Sequence, residues 1–457
     1  MARDTTDLTP LTSIDELVAY MKAGEKPESA FRIGTEHEKF GYYADDLTPV
    51  PYEGERGIAA LLEGIRGLSG WEAITDEGRI IGLAGPSGAG AISLEPGGQF
   101  ELSGAPLETI HETCRESNAH LDDVRRVAGA LGIKFFGLGS SPVWTMAETP
   151  RMPKSRYDIM ARYMPKVGTR GLDMMFRTAT IQVNLDFSSE SDMARKMRIG
   201  MRLQPVASAL FANSPFTEGR PNGLVSWRSD VWSDVDNARS GLLRFAFEPG
   251  FSYRDYVEWA LDVPMYFVMR EGRYVEATDV TFRQFLDGAM KGRIASPAPT
   301  MGDWINHLST LFPDVRLKRF IEMRGADGGP WRRICALPAY WVGLLYDTAA
   351  LEAVDAMTAD WSFEEVAALR AEVPRSGFAT PFRSGTVLDL ARESLAIARS
   401  GLASRARLNE DGNDESFFLA PLEEAVARGT TAAEELVRLY DGPWQRSMRR
   451  VIEDLTY

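Results

Sequence analysis

The sequence predicts an α+β fold: an antiparallel β-sheet core surrounded by helices, followed by a helical C-terminal layer. Three observations predict it. Phe31 to Tyr43 and Thr178 to Phe187 alternate in the two-residue rhythm of strands. Residues 80–106 break short apolar runs with Gly and Pro, which favours hairpins over a helix. From Thr348 to the C-terminus apolar residues recur at helical spacing. We therefore divide the chain into a sheet core with helices, 1–347, and a helical region, 348–457, packed on it as one integrated domain.

The elements follow in order. Thr12-Ser13 ahead of Ile14-Asp15-Glu16 is a helix start, and that helix ends near the Gly24 to Pro27 break. The strand with Arg32-Ile33-Gly34-Thr35-Glu36-His37-Glu38-Lys39-Phe40-Gly41 comes next, and Ile58 to Leu68 is a short helix. Ala91 to Leu94 and Gln99 to Leu102 are strands, with Glu95 ending the first and Glu101 inside the second. Gly97 and Gly98 permit a tight turn or close approach to a ligand. Leu107 to Leu131 is a long amphipathic helix stopped by Gly132, with Cys114 on or beside its apolar face, and Ile133 to Leu138 is a buried strand.

Met152 to Gly171 is basic and aromatic, with Arg156, Tyr157, Arg162, Tyr163 and Lys166. The 178–187 strand presents Thr180, Gln182, Asn184 and Asp186 on one face, a polar stripe suited to lining a site. Asp192 to Asn213 is a helix whose Arg195, Lys196, Arg198 and Arg202 are expected on its exposed side. Val225 to Trp232 sets Arg228 between two tryptophans, a setting for gripping a carboxylate. Helices at Tyr253 to Leu261 and Phe282 to Met290 flank a strand pair, Met265 to Met269 and Arg273 to Val275. Val315 to Arg324 reads as one strand with Arg316, Lys318, Phe320, Glu322 and Arg324 on a shared face, then GADGGPW as a turn and Ile334 to Tyr346 as an apolar helix. The C-terminal helices are Leu351 to Ala371, Val387 to Leu402, Leu422 to Arg428, Thr431 to Leu439 and Pro443 to Leu455.

Composition narrows the function class. The chain has 457 residues, 44% of them hydrophobic and 25% charged, the balance of an ordinary globular protein. A net charge of -14 argues against nucleic-acid or anionic-membrane partners, which select basic surfaces. The N-terminal stretch lacks a secretory pattern and no apolar run is long enough to span a bilayer, so a cytoplasmic location is expected. Two cysteines, Cys114 and Cys335, and four histidines exclude a disulfide framework and a His-rich metal site, though not a single bridge. No Walker A or GxGxxG pattern is present.

Glu36 and Glu38, two apart on a strand, project side by side. With Glu95, Glu101 and Glu322 they make five acids on strands, with Gln182 and Asn184 as neutral oxygen donors. Neighbouring carboxylates about 4 Å apart repel by roughly 4 kcal/mol at an effective dielectric near 20. Several such pairs rival a domain's stability of about 5–15 kcal/mol, so convergence implies bound cations or raised pKa values. Oxygen ligands of this kind select hard cations such as Mg²⁺. With basic residues to receive an anion, the set points to metal-assisted phosphoryl transfer.

Four stretches, GTEHEKFG, LEPGGQFELSGAP, TIQVNLDFSSE and EMRGADGGPWRR, occur in an order that resembles the glutamate-cysteine ligases of plant and proteobacterial type. The likeness runs from about residue 12 to the C-terminus. It implies a glutamine-synthetase-like antiparallel bowl, with ATP as co-substrate and Mg²⁺ held by strand carboxylates. It further implies L-glutamate and L-cysteine as substrates, no nucleic-acid or membrane partner, and a monomer or homodimer. On matching positions Glu36, Glu38, Glu95, Glu101, Asn184 and Glu322 are the implied Mg²⁺ shell, Glu36, Glu38 and Arg324 the catalytic groups, and Arg156 and Arg228 the grip on glutamate. Thr180 and Gln182 complete the expected substrate contacts. The same resemblance matches Cys114 and Cys335 to a redox-sensitive pair and makes them a candidate disulfide.

Overall fold

The computed structural model describes residues 5–457. Its centre is a nine-stranded sheet in which every pairing is antiparallel. The order is Val315–Leu317, Ile321–Asp327, Thr180–Leu185, Ile33–Tyr43, Gln99–Ser103, Ala91–Leu94, Arg79–Ala84, Glu72–Asp76, with Ile133–Phe136 pairing to the far end of Ile33–Tyr43. Ile33–Tyr43 is eleven residues long and bonds to three different strands, so it fixes the register of the whole sheet.

Helices cover one face. Ile110–Ala130 begins at Thr109, whose hydroxyl accepts from the Glu112 amide while the Glu112 carboxylate accepts from the Thr109 amide. Its Cys114 is bonded to Cys335 on Trp331–Leu345, a helix buried over most of its length. Val387–Arg405 packs against that helix at glycine contacts: a Cβ on Gly401 would sit 2.0 Å from the Gly343 carbonyl oxygen. The largest apolar cluster runs from Leu11 to Val426 and joins the sheet, the central helices and the C-terminal layer. Among the described residues no single helix is long and apolar enough to cross a membrane.

Several elements differ from expectation. Val315 to Arg324 is two strands, not one: Lys318 to Phe320 turn the chain, and Arg316 faces Glu322 across the hairpin. The turn contains neither Gly nor Pro, so composition gave no warning of it. Gly325 to Asp327 belong to the second strand, after a register shift between Met323 and Ala326. Glu72–Asp76, rich in polar residues, is an edge strand that the apolar pattern did not mark. The expected helix Leu351 to Ala371 is two, Thr348–Thr358 and Phe363–Ser376, the second opened by a capping box at Ser362. Of the four basic residues on Glu190–Leu210, Lys196 and Arg202 are buried, Lys196 paired to Asp192 at 2.9 Å.

Candidate active site

The strand Ile33–Tyr43 sorts its side chains by parity. Thr35, His37 and Lys39 are buried against the helices, while Glu36 and Glu38 face an open cavity on the other side of the sheet. Lys39 therefore offers no counter-charge at the cavity surface: its Nζ lies 2.7 Å from His120 Nε2 and donates to the Phe100 carbonyl. Register brings the other acids in. Glu38 is opposite Glu101, and Glu36 is opposite Gln182. Glu95 follows the end of its strand, in a turn where Gly98 has a φ of +85°. Gly97 is needed for close approach to backbone, not to a ligand: a Cβ there would meet the Phe176 carbonyl oxygen at 2.1 Å.

The cavity holds about 890 Å³ including its mouth. Glu36, Glu38, Glu95 and Glu101 line it together with Arg156, Arg228, Arg316 and Arg324. Tyr157, Gln99, Thr178, Thr180, Gln182, Trp232 and Phe312 complete the wall. Burial holds Glu38 well above the usual carboxylate range, and the charges of Glu95 and Glu101 push it further. Glu36 is raised by burial and then by Glu322 and Glu101. Glu101 is held by hydroxyls, accepting from Ser93 Oγ at 2.9 Å and Ser103 Oγ at 2.5 Å.

Glu322 behaves oppositely. It is fully buried just behind the wall, and burial alone would raise it, yet Arg316, Lys318 and Arg324 hold it well below the usual range. Arg316 closes on it with two bonds, Nε to Oε2 at 2.5 Å and Nη2 to Oε1 at 2.8 Å. Arg324 Nη1 donates to Glu322 Oε1 at 3.0 Å and to Gln182 Oε1 at 2.6 Å, which aims that guanidinium along the cavity floor. Lys318 stands 3.6 Å from Glu322 and is brought down to about 8, by burial first and then by Arg316. Arg228 Nη2 donates to the Arg324 carbonyl at 2.9 Å. Behind it the buried Asp327 accepts from the hydroxyls of Ser214 and Ser226 and supplies negative charge to Arg228.

The structure thus gathers Glu36, Glu38, Glu95, Glu101, Arg156, Thr180, Gln182, Arg228 and Arg324 around one space. Thr180 contributes through its backbone amide, 3.1 Å from Glu38 Oε2, whereas its hydroxyl is spent on the Ala326 carbonyl. Asn184 is not on the wall; its Nδ2 donates to Glu36 Oε1 at 3.0 Å and its Oδ1 has no partner. Asp186 leaves the polar stripe, because the strand ends at Leu185 and the carboxylate accepts from the Arg32 amide and pairs with Lys26. Arg228 lies beside Trp232 alone; Trp227 stacks with Arg170 and Arg177 instead. Among the described residues no three carboxylate, imidazole or thiol groups converge closely enough to cage an ion unaided. The repelled pair Glu36 and Glu38 and the unpartnered Asn184 oxygen nevertheless fit Mg²⁺. That ion is usually held by one or two carboxylates and completed by waters and substrate phosphates.

Sequence reasoning missed Arg316, Tyr157 and Gln99 as parts of the site. Tyr157 was visible only within a basic and aromatic stretch; in the fold its hydroxyl donates to the Leu94 carbonyl at 2.8 Å and reaches Glu95 Oε1 at 3.3 Å. Gln99 ties the Glu95 turn to the opposite wall by donating to the carbonyls of Met175 and Thr178.

Residues 32–454 match the model of glutamate-cysteine ligase family 2 (GCS2). The chain is 53% identical to the chloroplastic glutamate–cysteine ligase B of Oryza sativa subsp. japonica over 448 residues, covering 98% of this chain and 88% of that protein. It is 54% identical to the chloroplastic glutamate–cysteine ligase of Nicotiana tabacum, with 98% and 83% covered. The Arabidopsis thaliana counterpart, also named chloroplastic, is 53% identical with the same coverage. These names overturn the expected cytoplasmic location; an acidic globular composition is equally suited to the plastid, so it could not discriminate between the two. The fold is similar to the crystal structure of glutamate–cysteine ligase from Francisella tularensis in complex with AMP, with a TM-score of 0.54, 13% identity, and 93% and 87% of the two chains covered. A family match over most of its length, joined to identity above one half with three plant enzymes, places this chain in the glutamate-cysteine ligase family.

Proposed function

We propose that this cavity binds ATP, L-glutamate and L-cysteine and joins the glutamate γ-carboxylate to the cysteine amine, the first step of glutathione synthesis. One observation carries the assignment: four acids and four guanidiniums border a single space, the acids repelling one another enough to need cations and the guanidiniums free to meet anions. Glutamate's side-chain carboxylate attacks the γ-phosphorus of ATP and releases ADP, and the resulting γ-glutamyl phosphate is opened by the cysteine amine, which expels phosphate.

Glu36, Glu38, Glu95 and Glu101 are the proposed Mg²⁺ ligands, with Asn184 and Glu322, both beside Glu36, completing the set. When bound, Mg²⁺ neutralises phosphate oxygens and orients them for in-line transfer. Arg324, aimed by Gln182 and Glu322, offsets charge on the moving phosphoryl group. Arg228 and Arg156 hold the glutamate α-carboxylate and keep the substrate in register with the acids, with Thr180 and Gln182 beside them. No covalent bond to the chain is required. Residues 1–347 supply every one of these groups, and 348–457 buttress the sheet from behind.

The test is ADP release with ATP and Mg²⁺, adding glutamate and cysteine singly and together. Release that requires both amino acids supports the ligase; release with neither points to phosphate hydrolysis and overturns it.

A further inference from the structure

A second cavity lies away from the catalytic one and shares no lining residue with it. It is an open cleft of about 1000 Å³ between the helices Glu190–Leu210 and Thr348–Thr358, walled by Arg195, Arg198 and Arg202 on the first and by Glu352 and Asp355 on the second. Spacings of three and four put the three guanidiniums on one helix face. Their circumstances differ. Arg195 is matched, with its Nε 2.8 Å from Asp355 Oδ2. Arg198 spends two donors on the carbonyls of Ala246 and Glu248 and has no carboxylate partner among the described residues.

Arg202 is the informative one. Only 7% of it is exposed, its Nε has no hydrogen-bond partner, and no carboxylate lies within ion-pair distance among the described residues. Its nearest compensation is the Phe247 ring, 5.9 Å from the guanidinium carbon. Burying a cation without a partner is costly, and a fold retains one where something outside the chain completes it.

We propose that this cleft is a binding site for a phosphate-class oxyanion, inorganic phosphate or a phosphate monoester, gripped by Arg198 and Arg202. Two guanidiniums lacking carboxylates call for about two negative charges, which a phosphate dianion supplies, and the fork of an arginine matches its oxygens two at a time. Phe247 and Pro249 give the cleft an apolar wall on which the carbon part of an ester can rest. This inference stands apart from the ligase assignment and uses none of its residues.

The experiment is calorimetric titration of the full chain with inorganic phosphate and, separately, with glycerol 3-phosphate, for the wild type, Arg202→Met and Arg198→Met, each at constant ionic strength with chloride as the control anion. The expected result is a binding component in the wild type that weakens by about tenfold or more in each variant, the loss of one charged hydrogen-bond donor set. Turnover with glutamate, cysteine and ATP should stay unchanged in both variants, and Arg202→Met should melt no lower than the wild type in the absence of phosphate. Binding of both probes, or of glycerol 3-phosphate alone, supports the site and identifies its source. Identical titrations in the wild type and both variants, or an equal response to chloride, overturns it.

Discussion

Arg316 and Glu322 face each other across a tight hairpin, and the guanidinium closes on the carboxylate with two hydrogen bonds in a place that solvent does not reach. Glu322 is thereby kept ionised while Glu36 and Glu38, on neighbouring strands, are driven the other way. Removing one member of a buried pair leaves the other charged and unmatched. Arg316→Leu should therefore cost about 3 kcal/mol of stability in urea unfolding, and the double variant Arg316→Leu/Glu322→Leu should cost less than the sum of the single changes. A loss below about 0.5 kcal/mol, the level of an ordinary surface change, would contradict the role given to the pair.

Glu36→Gln and Glu38→Gln should separate fold from activity. Each removes a carboxylate that burial and its acidic neighbours disfavour, so the melting temperature without Mg²⁺ should hold or rise. Ligation should fall by about 10²-fold or more, as expected when a group stabilising charge in the transition state is lost. Normal ADP release with both amino acids present would remove the residue from the site.

Arg324 should not tolerate lysine. Its Nη1 serves Gln182 and Glu322 together, a forked geometry that an ammonium does not reproduce. Arg324→Lys should lower kcat by about 10²-fold with KM for ATP little changed, because the contact matters most as the phosphoryl group moves. Steady-state kinetics at varied ATP would check the split.

His307 gives the acid side of the stability profile. It is buried, its Nε2 lies 2.8 Å from the Ala260 carbonyl, and burial followed by the charge of Arg239 brings it down to about 4. The unfolded chain takes up this proton near pH 6.5, the folded chain not until about 4. Its stabilising contribution is complete above about 6.5 and is lost as pH falls through that window, to a total of about 3 kcal/mol. Melting temperatures between pH 7 and pH 4.5 should fall less steeply in His307→Gln than in the wild type.

The bond between Cys114 and Cys335 spans 221 residues and fastens Ile110–Ala130 to Trp331–Leu345. A closure of that length constrains the unfolded chain by about 5 kcal/mol in the loop-entropy account, and measured values usually lie nearer 2–4 kcal/mol. Reduction, or Cys335→Ala, should lower the melting temperature by several degrees.

Much of the site was legible because strand parity is a strong signal: alternation alone set Glu36 beside Glu38 and Thr180 beside Gln182. What escaped depended on contacts distant in sequence. Lys39 and Lys196 carry charge yet are buried, since His120, Asp192 and backbone carbonyls receive them from other segments or turns. The Lys318 to Phe320 turn has no turn-forming residue, and it is held by the Arg316 and Glu322 pair that it creates. Asp186 continued the alternation on paper, but Arg32 and Lys26 draw it out of the stripe.

The parity of Ile33–Tyr43 also limits how this protein can change. Insertion or deletion of a single residue between Ile33 and Phe40 would rotate the segment by half a pleat, sending two carboxylates into the hydrocarbon interior and a lysine to the place where ATP is to lie. Substitutions along that edge can be tried one at a time, whereas a change of length there exchanges inside for outside in one step. Descent with altered chemistry is therefore open to this enzyme by replacement and closed to it by indels.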